Sequence, residues 1–156
     1  MLDAEMATGR APLDWRVWLQ SALGVEEALH GGMAGVVDTA FYGSLRRFLA
    51  TTRAPAPVVA SIDFMHGLAA WDYDEASRAS DALLREATRG EMWLDPDVLR
   101  DGAVMAKLTI GDRSGARDAF RLLAPSSSRD AADLRTRLLY SYIADAASAR
   151  LIAARR

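Results

Sequence analysis

Apolar residues recur every three or four positions along most of this chain, the spacing of one face of an α-helix and not the alternation of a strand. The first stripe holds Trp15, Trp18, Leu19, Ala22, Val25, Ala28 and Leu29. Asp14 stands before it, where a carboxylate can accept from the free N–H groups of a helix start. His30-Gly31-Gly32 ends it, because paired glycines release the backbone into a turn. A second stripe, Met33, Val36, Val37, Ala40, Phe41, Leu45, Phe48 and Leu49, predicts a helix from Met33 to Ala50. Pro55 and Pro57 then mark the clearest break in the chain, at residues 51–57. A last stripe, Leu134, Leu138, Leu139, Tyr142, Ile143, Ala146 and Ala149, predicts a helix from near Asp130 or Asp133, followed by an Ala-rich segment at 144–154. Residues 1–12 are weakly patterned and are expected to fray.

Between these lies an internal repeat. Residues 65–79, beginning Met65-His66-Gly67-Leu68, align with residues 105–119, beginning Met105-Ala106-Lys107-Leu108, at a shift of 40. Met, Leu, Asp, Ala and Ala recur, and Leu83 answers Leu123. The mechanical reading is a helix pair. Asp72 and Asp112 sit in the turn, where an aspartate satisfies the next helix's free N–H groups. Ala76, Ala79, Ala116 and Ala119 are small where the second helix presses on the first.

The segment Trp71-Asp72-Tyr73-Asp74-Glu75-Ala76 resembles the Gly-Asp-Tyr-x-x-Ala turn of the tetratricopeptide repeat, with Trp71 in place of glycine. Gly111-Asp112-Arg113-Ser114-Gly115-Ala116 keeps the glycine and lacks the tyrosine, and Phe120 falls on that family's second-helix aromatic. The earlier half of the family's signature falls on Ala60, Asp63 and Phe64, and then on Arg100, Ala103 and Val104, so it is missing. The shift of 40 also exceeds the family's usual 34.

The resemblance covers residues 58–125. It implies an all-α fold of six to eight helices, stacked as antiparallel pairs in a right-handed array. As one domain, 1–156 divides into a frayed start (1–12), an N-terminal helical hairpin (14–50), two repeats (58–125) and capping helices (130–156). In that family the first helix of each pair lines a concave surface. By position this groove would hold Ser61, Met65, Leu68 and Ala69 beside Asp101, Met105, Leu108 and Thr109. The implied function is non-catalytic binding of a protein or peptide, as an adaptor or a chaperone-like subunit such as bacterial tetratricopeptide-like proteins often are. A homo-oligomer is compatible with it. An accessory helical domain of a larger enzyme or transporter would read the same way.

Composition narrows the chemistry. The chain has 156 residues, half of them hydrophobic, and a net charge of −2 with acids and bases interspersed. No basic stripe is present to neutralise phosphates, so nucleic acid is not the expected partner. The absence of cysteine removes disulfides, thiolate catalysis and the usual zinc clusters. Apolar runs are broken well short of 18 residues, so no membrane span is expected. The acidic first residues lack a signal-peptide layout, and a cytoplasmic setting is the default.

His66, with Asp63 three residues before it, is the one pairing that suggests a base and its orienting carboxylate. No nucleophile, metal partner or phosphate loop accompanies it, and neither a metal nor a cofactor is expected. Carboxylates at Asp72, Asp74, Glu75, Asp95, Asp97, Asp130 and Asp133 fall at helix starts, where caps explain them. Trp71 sits at a turn and Trp93 in the Gly90–Pro96 loop, places where a large aromatic either plugs a gap or anchors a partner.

Overall fold

The computed structural model of the chain describes residues 6–30 and 38–123. In chain order the helices are α1 (Trp15–His30), α2 (Thr39–Thr52), α3 (Ala56–Ala69), α4 (Tyr73–Thr88), α5 (Pro96–Thr109) and α6 (Arg113–Leu123). No strand occurs among the described residues. The all-α class therefore follows the hydrophobic period. The expected capping helices at 130–156 and the Ala-rich segment lie outside the described residues.

Local chemistry accounts for each start. Asp14 accepts from Arg16 N–H at 2.8 Å and begins α1 as expected. The second helix differs from expectation. Asp38 leaves helical geometry at ψ 89 and accepts from the N–H groups of Ala40 and Phe41, both at 2.9 Å. An aspartate whose side chain can bond the backbone two residues on is a better cap than an interior residue. So α2 begins at Thr39, six residues later than its apolar stripe implied, and Met33, Val36 and Val37 lie outside the described residues. The break at the proline pair is short, residues 53–55. Arg53 closes α2 in the left-handed region, Pro55 is the N-cap of α3, and Pro57 stands in its first turn, where no N–H is required. Residues 6–8, expected to fray, make a helical turn, and Met6 packs on the core.

The 40-residue repeat recurs in the main hydrogen bonds of two turns. Ala70 N–H reaches His66 O at 2.8 Å, and Ile110 N–H reaches Ala106 O at 3.2 Å. Asp72 Oδ1 accepts from Glu75 N–H at 2.9 Å, and Asp112 Oδ1 accepts from Gly115 N–H at the same distance. Between them, Trp71 and Gly111 both take positive φ, 60° and 89°. Each turn thus uses one left-handed residue and one aspartate cap to fold a 14-residue helix back on its successor. A non-glycine residue in that region costs about 1–2 kcal/mol, so Trp71 carries a penalty that Gly111 escapes.

Small residues set how closely the helices lie. Ala76, Ala79, Ala116 and Ala119 are buried, as the repeat predicted. A Cβ on Gly67 would stand 2.6 Å from Ala76 N, so α3 and α4 touch backbone to backbone there. A Cβ on Gly102 would stand 2.6 Å from Phe64 Cζ and 2.7 Å from Leu68 Cδ1, which places α5 alongside α3. One contiguous core runs from Trp18 to Ala119 through Phe48, Ile62, Phe64, Leu83, Leu99 and Val104. Trp18 stacks on Phe48 at 5.3 Å and Trp15 meets Trp18 edge-on, so these two tryptophans seat the N-terminal helices. Trp93 lies under the guanidinium of Arg16, which also bonds Met92 O and Glu91 and clips α1 to the loop between the repeats.

Candidate functional site

Two groups of side chains were candidates from sequence, and the structure assembles them differently. The first centres on His66. Its expected partner, Asp63, instead accepts from Arg46 Nε at 3.0 Å. His66 Nδ1 lies 2.6 Å from Glu75 Oε2, nine residues away across the α3–α4 turn. The pairing predicted from the i−3 spacing is therefore replaced, because Asp63 faces α2 while His66 meets the first turn of α4.

Proton placement follows from counting donors. Glu75 is a pure acceptor when ionised, so the contact needs hydrogen on Nδ1. Arg46 Nη2, 3.1 Å from the same nitrogen, is then a neighbour and not its donor. Arg46 is committed to both carboxylates, Asp63 and Glu75. Tyr42 closes the cluster with its ring edge-on to His66 at 4.9 Å. A guanidinium, an imidazole and two carboxylates from three helices thus share one half-buried patch. Its chemistry is that of a tie: the guanidinium bridges α2 to both helices of the first repeat.

Beside the patch lies an open cleft of about 620 Å³ bounded by Val59, Ala60, Asp63, Glu75, Arg78 and Ala79. Asp63 and Glu75 at its edge are already engaged by Arg46. Among the described residues no group of three His, Cys, Asp or Glu side chains could hold a metal ion.

The second candidate is the strip along α3 and α5. Ser61 is fully buried and donates to Pro57 O at 2.8 Å, so it faces the core and not a surface. Met65, Leu68, Ala69, Asp101, Met105, Leu108 and Thr109 are half-buried. Met65, Leu68 and Leu108 rest against the core, Thr109 donates to Met105 O, and Asp101 accepts from Arg100 at 2.8 Å. Met and Leu side chains on two adjoining helices are thus neither sunk nor fully bare.

Two buried bases escaped sequence reasoning. Lys107, on the inner side of α5, is 2.5 Å from Asp81 Oδ1 and 3.7 Å from Asp112 Oδ2. Arg100 lies 2.8 Å from both Asp97 and Asp101. Lys107 aligns with Gly67, and that break in the repeat was the only sign of its different place. Asp112 itself is held below the usual carboxylate range, first by the Gly115 N–H, then by the Ser114 hydroxyl and the Lys107 charge, against the opposing effect of burial.

No family model, curated protein or solved structure matches the chain. No helix among the described residues is long and apolar enough to cross a membrane.

Proposed function

We propose that the chain is a tetratricopeptide-like array of helix pairs that binds a protein or peptide partner without catalysing a reaction, as an adaptor or chaperone-like subunit. The observation that carries this reading is the recurrence of one turn, with the same caps, the same left-handed position and the same buried alanines, 40 residues apart. Units built alike and packed side by side create an extended face, which is how helical arrays hold their partners.

The face runs along the first helices of the two units, α3 and α5, which meet where Phe64 and Leu68 approach Gly102. Met65, Leu68, Met105 and Leu108 supply its apolar character. Unbranched methionines repack readily, which suits a surface that receives a helix or an extended segment. Asp101 and Thr109 supply polar edges.

The test is capture of partners from the source cell with wild-type protein and a Met65→Glu/Met105→Glu variant, both first shown to be helical and monodisperse. A partner retained by wild type and lost by the variant supports the strip. Partners bound equally by both would remove it.

A further inference from the structure

The first repeat turn displays one large aromatic ring that the core does not explain, Trp71, beside Tyr73, which is half-buried against the core. Trp71 is 58% exposed, and its ring meets that of Tyr73 at 6.1 Å and 70° between planes. The residue holds φ 60° at a place where the matching turn uses glycine, so the turn alone would be served better by glycine than by a large side chain.

The surroundings define what the rings can receive. Asp72 and Asp74 flank Tyr73 and are exposed. Asp72 caps α4 through Oδ1, whereas the Asp74 carboxylate has no ion-pair or hydrogen-bond partner among the described residues. Steeply inclined π faces beside an unneutralised carboxylate attract a cation that is weakly hydrated and flat, above all a guanidinium. The N-terminal dipole of α4 opposes a cation, but Asp72 and Asp74 at that end offset it, Glu75 being engaged by Arg46. An anionic partner would meet Asp74 as a like charge.

We propose that Trp71 and Tyr73 receive an arginine side chain of a peptide or protein partner, with Asp74 as its counter-ion. The proposal rests on the reading of the chain as a binding module and names the side chain by which a partner is held at the α3–α4 turn.

The experiment is a nitrogen-detected NMR titration of the full chain with a capped peptide bearing arginines among small polar residues, and with the same peptide carrying glutamine instead. The Trp71 indole signal is assigned by its loss in Trp71→Gly. That signal should move with the arginine peptide, and the glutamine peptide should bind roughly tenfold more weakly. Trp71→Gly and Asp74→Asn should each weaken binding by roughly three- to tenfold, while Trp71→Gly melts no lower than wild type. A Trp71 signal that ignores the arginine peptide, or answers both peptides equally, overturns the proposal. The two readings fail separately. If the Met65→Glu/Met105→Glu variant loses a captured partner while Trp71 stays silent, the strip stands and the arginine anchor falls.

Discussion

Replacing Gly67 by alanine is the sharpest test of how the first helix pair is held. In an exposed helix interior this change would stabilise the fold by about 1 kcal/mol through helix propensity. Here the new Cβ lies 2.6 Å from Ala76 N and 2.9 Å from Asp72 O, roughly 0.8 Å inside ordinary contact with backbone that cannot rotate away. The helices must separate, and a gap of that size forfeits a quarter to a half of the dispersion energy of each facing pair. Overpacking of this kind costs about 1–3 kcal/mol, with the upper end expected where the obstacle is main chain. Net destabilisation should therefore be about 1–2 kcal/mol, or a melting temperature lower by about 2–8 °C. Gly24, in α1, is the internal control: a Cβ there meets nothing within 4 Å. Gly24→Ala should stabilise by about 0.5–1 kcal/mol. Urea unfolding followed by far-ultraviolet circular dichroism reads both. If Gly67→Ala is as stable as Gly24→Ala, the backbone contact between α3 and α4 does not exist as described.

Three further outcomes follow from the polar clusters. Lys107→Met should change stability by less than about 1 kcal/mol, since it keeps the buried stem and the carboxylates that lose its charge, Asp81 and Asp112, are both partly exposed, whereas Lys107→Ala should cost about 2 kcal/mol or more by opening a void; equal losses in chemical denaturation would contradict this. Because the folded Asp112 binds its proton less readily than the unfolded chain does, its contribution to stability is present above the ordinary carboxylate value of about 3.9 and fades as pH falls through the lower folded value. Asp112→Asn should flatten that part of the acid limb, and an unchanged limb would show that the cap carries no linkage. Arg46→Ala should cost about 1 kcal/mol and raise hydrogen exchange in α2 more than in α5, because only the former loses its bridge; uniform acceleration across the helices would contradict the tie.

By itself the sequence determined the helical class, the start of α1 at Asp14, and the two Asp-capped turns at 72 and 112. These are local effects: a period of 3.6, a carboxylate beside free N–H groups, small residues at a crossing. Met65, Leu68, Met105 and Leu108 entered as one set only through the tetratricopeptide resemblance, which places equivalent residues of a repeat on equivalent faces. Tertiary structure alone decided which charges meet. Glu75 reads as the fourth residue of a capped turn until α2 brings Arg46 to it, and His66 reads as the partner of Asp63 until the turn swings Glu75 within 2.6 Å. The start of α2 was misplaced because an apolar stripe crosses Asp38 while the cap, a bond of one side chain to its own backbone, stops the helix there. Ser61 and Lys107 went inside for the same general reason. Burial depends on which neighbours arrive from elsewhere in the chain, and a one-dimensional pattern gives the face of a helix but not what comes to cover it.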